Sequence, residues 1–195
     1  MENKRFLFLR GEIGSGKTTL LKKHLSPKIH RAGGFVTRLV IVDGKMQGIE
    51  VLPAREYLSE SPEEKTLILS FKDGKPCFNP ELLHEHLGNG DTAPFYFFDE
   101  IGGIELLDPR FIEGFKSIME KGRPLIAVLK SFSKSFLLSK KLGLESEYKK
   151  AYAELEDMIR SFPKAVIVEH QGIGDVISEK TLCEFIKENL DAQFV

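Results

Sequence analysis

A glycine-rich segment near the N-terminus has the residue types and the spacing of a phosphate-binding loop. Gly11, Gly16, Lys17 and Thr18 satisfy the pattern G-x-x-x-x-G-K-[ST]. Glycines let the backbone turn tightly, so that several N–H groups can point at one anion. The lysine supplies a mobile positive charge for β- and γ-phosphate oxygens, and the threonine hydroxyl can bind Mg²⁺. The predicted nucleotide-binding residues are Gly11, Glu12, Ile13, Gly14, Ser15, Gly16, Lys17, Thr18 and Thr19.

The sequence on either side of this loop predicts the elements that such a loop needs. The apolar run FLFL ends just before it and predicts a short buried strand over residues 5–9. The segment KTTLLKKHL after it predicts a helix that ends before Pro27, because a proline disfavours helical backbone in the residue that precedes it. The N-terminus of that helix, near Lys17, adds a positive partial charge at the same point.

A pair of acids, Asp99 and Glu100, follows the apolar segment PFYFF. An acid at the carboxyl end of a buried parallel strand can approach the Mg²⁺ of a bound nucleotide, directly or through water. Adjacent residues at a strand end point in different directions, so one carboxylate can face the metal while the other orients or deprotonates an attacking water. The predicted metal ligands are therefore Thr18 and Asp99, and the predicted catalytic residues are Lys17 and Glu100.

The acid pair favours hydrolysis, because an NTP hydrolase needs a group that orients water. The pair resembles that of the additional-strand, catalytic-glutamate division of P-loop NTPases. In that division a further strand lies between the phosphate-loop strand and the acid strand, and it ends in a polar residue near the γ-phosphate. The segment PLIAVLKS predicts this strand over residues 125–129, with Lys130 or Ser131 at its end. The alternative for Lys130 is a strand-end lysine that reaches solvent.

The remaining sequence predicts one α/β domain over residues 1–195. Short apolar strands alternate with helices, which indicates a mostly parallel central sheet flanked by helices. Two β-hairpins are expected as additions to this sheet, around Asp43-Gly44 and around Asp73-Gly74. Further helices are expected to open at Asn79-Pro80 and Asp108-Pro109 and to cover residues 145–162 and about 179–190.

Composition and charge exclude several classes of protein. The chain has 195 residues, of which 42% are hydrophobic. Its formal net charge is -1, which gives no indication of binding to nucleic acid or to an anionic membrane. Cys77 and Cys183 have no metal-binding spacing, and two cysteines in a chain of this length suit a reducing cytoplasm. No segment approaches the roughly 18 apolar residues of a membrane span, and FLFL is too short for a signal-peptide core.

Three motifs together resemble the cancer-related nucleoside-triphosphatase family, also described as thermophilic NTPases. They are GEIGSGKTTL, AGGFVTR and FYFFDEIGGIELLDPRF, and their order and spacing agree over residues 6–20, 32–38 and 95–111. The resemblance implies slow, Mg²⁺-dependent hydrolysis of nucleoside triphosphates such as ATP and GTP, with a loose base preference. By position it implies that Lys17 and Thr18 hold phosphate and Mg²⁺, that Asp99 supports the metal, and that Glu100 serves the water.

Two segments depart from the family pattern. Gly103 stands where the family usually has a lysine after Asp-Glu-Ile-Gly, so a positive charge that faces the phosphates is missing there, and Lys130 is a candidate to replace it. After the last strand the family tends to carry an Asn-Arg pair, and this chain has EHQGIGD instead. The first departure leaves the cation that stabilises the transition state unassigned, and the second leaves the contacts to the nucleotide base unassigned.

Several other residues are weaker candidates. Thr37 and Arg38 contact either a ligand or only the sheet and solvent. The basic residues between Lys22 and Arg31 form either a nucleic-acid patch or, as we expect, a solvated helix end, because no aromatic residues interleave them. His84 and His86 are two apart on a predicted helix and therefore diverge. The segment 130–143 is a candidate lid, and candidates for a charge-stabilising finger are Lys134, Lys140, Lys141 and Arg160.

Two other functions remain open at this stage. A nucleotide or nucleoside kinase would use the segment FSKSFLLSKK as a lid and a pocket at a hairpin for the acceptor. A nucleotide-dependent binding module with negligible turnover would use the exposed hairpins as its partner surface. Phosphate release without an acceptor, and transfer from labelled ATP to a panel of nucleosides, distinguish these functions from hydrolysis.

Overall fold

The strands in the described part of the chain form one nine-stranded mixed sheet. The structure is a computed structural model that describes residues 4–59, 66–73, 75–88, 92–132, 136, 139–140 and 143–191. In chain order the strands are β1 (Phe6–Arg10), β2 (Ala32–Gly33), β3 (Phe35–Val42), β4 (Lys45–Pro53), β5 (Thr66–Lys72), β6 (Lys75–Phe78), β7 (Phe95–Ile101), β8 (Leu125–Leu129) and β9 (Ala165–Glu169). The α-helices considered below are α1 (Lys17–Leu25), α2 (Glu81–Gly88), α3 (Pro109–Glu120), α4 (Glu145–Ser161) and α5 (Val176–Asn189).

The parallel half of the sheet confirms the predicted strand order. Strand β8 pairs with β1 on one side and with β7 on the other, and β9 pairs with the free side of β1, all in parallel. Strand β8 therefore separates the strand before the phosphate loop from the strand that carries the acids. This is the arrangement of the additional-strand division, and it places the carboxyl ends of β1, β7 and β8 at one edge.

The two hairpins continue the same sheet. Strand β3 pairs in parallel with β7 at Val36 and Asp99, and β4, β5 and β6 follow in antiparallel order. Asp43 and Gly44 both have positive φ, 51° and 71°, as a tight hairpin turn requires. Asp73 also has a positive φ of 50°, and Lys72 pairs with Lys75 across the second turn, whereas Gly74 lies outside the described residues.

Helices cover both faces of the parallel strands, and these strands are apolar up to the charged residues at their carboxyl ends. Alternate residues of a strand face opposite sides of the sheet. Phe8 and Phe98 pack with α3 and α4 on one side, while Leu9 and Phe97 pack with α1 and α5 on the other. All four side chains are fully buried, and each such burial contributes roughly 1.5–3 kcal/mol. This core fixes the strand ends that carry the candidate site.

Two element boundaries differ from the prediction by about three residues, and each has a local cause. Strand β7 was expected over 94–98 but continues to Ile101, because the register shifts between Phe98 and Ile101 and pairing then resumes. Helix α5 was expected from about 179 but begins at Val176, because the Asp175 side chain accepts hydrogen bonds from the N–H groups of Ile177 and Ser178. In the described part of the chain, no helix is long and apolar enough to cross a membrane.

Candidate active site

The phosphate loop lies between β1 and α1, as predicted. Gly14 and Gly16 have φ values of 78° and 96°, which L side chains rarely adopt. Gly11 packs so closely against the backbone carbonyl of His170 that a Cβ there would clash with it. At these three positions glycine is therefore required by the backbone conformation or by a close approach of the backbone. The turn ends at the N-terminus of α1, which carries a positive partial charge.

Lys17 folds over this loop. Its ammonium donates hydrogen bonds to the carbonyl oxygens of Gly11 and Glu12, at 2.8 and 2.7 Å, and to the Ser15 hydroxyl at 3.3 Å. Burial lowers the pKa of Lys17, and the nearby carboxylates, Glu100 foremost, oppose that shift. Neutral carbonyl groups of the loop therefore hold the ammonium. An anionic phosphate is a stronger acceptor and can replace these carbonyl groups as its partner.

Asp99 and Glu100 diverge at the end of β7, as predicted. Asp99 is 7% exposed, and its Oδ1 is buried without a hydrogen-bond partner. Glu100 lies in the bulge of β7 with a φ of 64°, a value that is rare for a residue other than glycine, and its side chain is 44% exposed. Strand bulges next to active sites commonly re-aim a side chain, and this bulge separates one buried acid from one solvent-accessible acid.

Lys130 reaches the acid pair from the end of β8. Its Nζ lies 3.3 Å from Glu100 Oε2. A Cβ built on Gly103 would be 3.1 Å from this same Nζ and 2.9 Å from Glu105 Oε2. Glu105 is held in place because its carboxylate accepts hydrogen bonds from the N–H groups of Gly102 and Gly103, at 2.6 and 2.7 Å. Lys130 therefore occupies the space above Gly103, where a side chain at that position would begin.

The oxygens at the carboxyl end of β7 fit a small, hard cation. Asp99 Oδ1 has no partner, and the Thr18 hydroxyl and the Tyr57 hydroxyl lie beside this region. Mg²⁺ prefers oxygen ligands and is usually held by one or two carboxylates together with substrate phosphates. Among the described residues, no group of three or more His, Cys, Asp or Glu side chains forms a self-contained metal site. The donor set therefore fits a metal that arrives with a nucleotide.

Comparison with known proteins identifies the family. Residues 6–152 match the model of a family described as NTPase. The chain belongs to this NTPase family. The nucleoside-triphosphatase THEP1 of Thermotoga sp. (strain RQ2) is 31% identical over 138 residues, which cover 67% of this chain and 77% of the relative. The THEP1 of Methanocaldococcus jannaschii is 26% identical over 137 residues, which cover 63% of this chain and 76% of the relative.

Two solved structures share the fold of this NTPase-family chain. The crystal structure of THEP1 from Aquifex aeolicus has a TM-score of 0.59 at 24% identity and covers 92% of this chain and 98% of that one. The solution structure of a human cancer-related nucleoside triphosphatase has a TM-score of 0.53 at 19% identity and covers 94% and 96%, respectively. The predicted family and the predicted α/β fold are therefore confirmed.

Most of the weaker candidates have structural partners in this NTPase-family member. Arg38 donates to the carbonyl oxygens of Tyr57 and Ser59, at 2.8 and 3.4 Å, so it holds the turn after β4. Lys23 and His24 contact the Glu179 carboxylate at 2.7 and 2.8 Å and thereby link α1 to α5. The basic cluster is thus partly used for helix packing.

The remaining sequence candidates lie apart from the site or outside the described residues. His84 contacts Asp108 at 2.8 Å, away from the phosphate loop. Arg160 lies in the last turn of α4, next to the start of β9 and therefore at the opposite edge of the sheet. Lys140 is exposed, and the proposed lid is described only in part, since Lys134 and Lys141 lie outside the described residues.

Sequence reasoning missed two residues of the site, Tyr57 and His170. The Tyr57 hydroxyl lies beside Asp99 and Thr18, and burial raises the pKa of this phenol, so that it remains a protonated donor. His170, directly after β9, is buried with Nε2 3.0 Å from the Ser15 carbonyl oxygen. The glycines around His170 signalled a tight turn, but no sequence pattern marked Tyr57.

Removing the Asp99 charge is expected to stabilise the metal-free chain at neutral pH. Burial raises the pKa of Asp99 from its ordinary 3.8 to about 6. Between these values the folded state keeps a proton that the unfolded state releases, so stability falls as pH rises from about 4 to 6. Above pH 6 the full penalty is about 3 kcal/mol, and Asp99→Asn should remove much of it.

Urea unfolding of wild type and Asp99→Asn in EDTA, at pH 4 and pH 8, measures this effect. The variant should be more stable at pH 8 and close to wild type at pH 4. A variant that is no more stable than wild type at pH 8 would show that Asp99 carries no burial penalty.

Proposed function

We propose that this chain is a Mg²⁺-dependent nucleoside triphosphatase that hydrolyses the β–γ bond of ATP, GTP and other nucleoside triphosphates. The divergence of the acid pair carries the proposal. Asp99 is buried with an unpartnered oxygen, whereas the adjacent Glu100 is turned into an accessible position by the bulge. Family membership and the position of β8 between β1 and β7 support the same function. One domain over residues 1–195 is part of this proposal.

The residues divide the reaction among themselves. The loop N–H groups and Lys17 bind the phosphates, and Thr18 and Asp99 would hold the metal. Glu100 orients a water molecule and takes its proton as the oxygen attacks the γ-phosphorus. The bond from that phosphorus to the β–γ bridging oxygen breaks, which yields the nucleoside diphosphate, inorganic phosphate and a proton. Bound Mg²⁺ would neutralise charge on the β- and γ-phosphates.

Lys130 is the proposed cation for the charge that develops on the γ-phosphoryl group. Its ammonium lies next to Glu100 and above Gly103, at the end of the strand between the loop strand and the acid strand. The main chain of Lys130 is held in place by two hydrogen bonds. Its N–H donates to the Ile101 carbonyl, and its carbonyl accepts from the Tyr152 hydroxyl. A preorganised cation of this kind stabilises a transition state without reorganisation.

Exchange of the lysine between the two positions tests this role. Lys130→Ala is expected to lower the rate of hydrolysis by roughly 10²-fold with little change in nucleotide affinity. Gly103 has a negative φ of -107°, and removal of the Lys130 side chain opens one side of the space above it, whereas the Glu105 carboxylate, 2.9 Å from a Cβ built there, has to shift slightly. Gly103→Lys should therefore restore part of the rate in the Lys130→Ala background, while the same change in wild type should be harmful because it meets Lys130.

The measurement is single-turnover hydrolysis for wild type, both single variants and the double variant. Lys150→Ala, which removes an exposed lysine from α4, is the matched control and should keep the wild-type rate. Hydrolysis by Lys130→Ala within about threefold of wild type would exclude Lys130 as the cation.

A cleft beside the loop gives the kinase alternative a possible acceptor site. It has a volume of about 560 Å³, a usual size for a small-molecule site, and lies next to Gly11 and Glu12. Phe132 and Tyr152 line it on one side, and Lys149 contributes a charge. It lies against α4 and not at a hairpin, where the sequence had placed such a pocket.

Two assays on the same preparation test the proposed function. Phosphate release from ATP with Mg²⁺ and without an acceptor should exceed that of Lys17→Ala, which controls for contaminating hydrolases. Transfer of the γ-phosphoryl group from labelled ATP to a nucleoside panel should be absent. Transfer without release would favour the kinase, and tight binding with neither activity would favour a switch.

A cytoplasmic location is also part of the proposal. It is supported by the two cysteines, which are both free thiols, Cys77 at the surface and Cys183 partly buried.

A further inference from the structure

The Tyr57 hydroxyl is a buried polar group that the fold holds in one place without a partner. Tyr57 is 4% exposed, and its hydroxyl has no hydrogen-bond partner of normal geometry. The Thr18 hydroxyl and the Asp99 carboxylate lie close enough to influence the pKa of this hydroxyl. Asp99 Oδ1 is itself buried and unpartnered. Two unsatisfied polar atoms, a donor and an acceptor, therefore lie in the same small region beside the hydroxyl of the phosphate loop.

Several contacts fix the Tyr57 ring and its backbone. The ring packs edge-on against Phe97, with centroids 4.9 Å apart, and the Lys22 ammonium lies 5.6 Å from the ring centroid. Arg38 donates to the Tyr57 carbonyl at 2.8 Å, and the Tyr57 N–H donates to the Ala54 carbonyl at 3.1 Å. The hydroxyl is thus aimed by a rigid segment toward Asp99.

Packing alone does not explain the hydroxyl. A phenylalanine would fill the same apolar surroundings and would avoid the cost of burying an unsatisfied hydroxyl. Natural cores rarely keep such a group unless it serves a site. A water molecule bound to a metal at Asp99 can accept from the phenol and donate to the carboxylate, which satisfies both orphaned atoms at once.

We propose that Tyr57 is a positioning residue for the divalent cation, with its hydroxyl holding the Asp99 carboxylate or a cation-bound water next to Thr18. The inference rests on the metal site of the proposed function and adds to it a residue from the segment after β4. Outer-shell partners of this kind orient the ligands and commonly change metal affinity by 10–100-fold when they are removed.

The proposal predicts that Tyr57→Phe leaves the stability of the metal-free protein unchanged or higher and weakens its affinity for Mg²⁺. In EDTA, the melting temperature should be equal to or a few degrees above that of wild type, because an unsatisfied hydroxyl has been removed. With a fluorescent ADP analogue, the Mg²⁺ concentration for half-maximal stimulation of binding should rise by roughly 10-fold or more. Binding of the same analogue in EDTA should be unchanged, because Tyr57 acts through the cation.

Tyr148→Phe is the matched control. The Tyr148 hydroxyl is satisfied, since it donates to the Gly102 carbonyl at 2.7 Å. Its loss should lower the melting temperature and leave the Mg²⁺ dependence as in wild type. This control separates the removal of a structural hydroxyl from the removal of one that serves the metal.

Three results would overturn the proposal, and they are distinguishable. If Tyr57→Phe keeps the wild-type Mg²⁺ dependence, Tyr57 has no role at the cation, whereas the proposed hydrolysis stands. If wild type itself binds the analogue equally well with Mg²⁺ and with EDTA, the metal site of the proposed function fails and the role of Tyr57 fails with it. A melting temperature of Tyr57→Phe well below wild type would also contradict it, because the hydroxyl would then be structural.

Discussion

Glu100→Gln is expected to slow hydrolysis by roughly 10²–10⁴-fold while Mg²⁺-dependent nucleotide binding survives. Glutamine keeps the shape and one acceptor oxygen but cannot take the proton of an attacking water. The loss corresponds to about 3–5 kcal/mol of transition-state stabilisation with little change in the ground state. Glu100 suits this role because its side chain is accessible while the adjacent Asp99 is buried.

Nucleotide affinity and single-turnover hydrolysis, measured together for wild type and Glu100→Gln, test this expectation. Glu113→Gln, an exposed substitution on α3, is the matched control and should behave as wild type. A kinase would show a milder effect, since its acceptor hydroxyl is oriented elsewhere. Hydrolysis by Glu100→Gln within about threefold of wild type would mean that another group activates the water.

Lys17→Ala is expected to reduce turnover to background and to weaken nucleotide binding without unfolding the chain. Among the residues that the structure describes, the Lys17 ammonium donates to groups of the phosphate loop, at 2.7–3.3 Å, so its removal leaves the hydrophobic core intact. The variant loses the charge that the β- and γ-phosphates need, both in the bound state and in the transition state.

Phosphate release, calorimetric binding of a non-hydrolysable ATP analogue and a circular-dichroism melt check the Lys17→Ala prediction. Turnover and binding should fall while the melt stays within a few degrees of wild type. Turnover equal to wild type would refute the phosphate-loop assignment, and a collapsed melt would show that Lys17 is structural.

The strand, loop and helix around Lys17 were predictable because they depend on local signals. Glycine spacing, a preceding apolar strand and a following helix are all contained in a short stretch of sequence around Lys17. The acids follow an apolar run that has the character of a strand buried on both faces. A resemblance between motifs then supplied the position of β8, and the pairing of the strands confirmed it.

The geometry between distant segments was not predictable in the same way. Tyr57 reaches Asp99 because β4 and the short turn after it fold back along β7, and no periodicity records that approach. The positive φ of Glu100 depends on a bulge, for which the sequence has no glycine signal. The sequence named Lys130 as a candidate for the charge missing at Gly103 but did not predict their contact, since the space above a glycine is a property of its neighbours.

Arg38 shows why an exposed-looking cation in a motif is a weak indicator of a ligand. It follows Thr37 in a strand, and the sequence left a ligand contact or a solvated arginine open. In the structure it donates to two carbonyl groups of the turn that carries Tyr57. Backbone acceptors in a turn outside secondary structure need donors, and only the folded chain shows which cation supplies them.

The central claim is that water attacks the γ-phosphorus of a nucleoside triphosphate bound at this loop. Hydrolysis of ATP in water enriched in oxygen-18, with Mg²⁺ and no acceptor, tests that claim most directly, because mass spectrometry locates the new oxygen. We expect ADP and phosphate in equal amounts, with the label in the phosphate and none in ADP, and no product from Lys17→Ala. Label in the nucleotide product, or unlabelled phosphate groups transferred to another molecule, would contradict the claim.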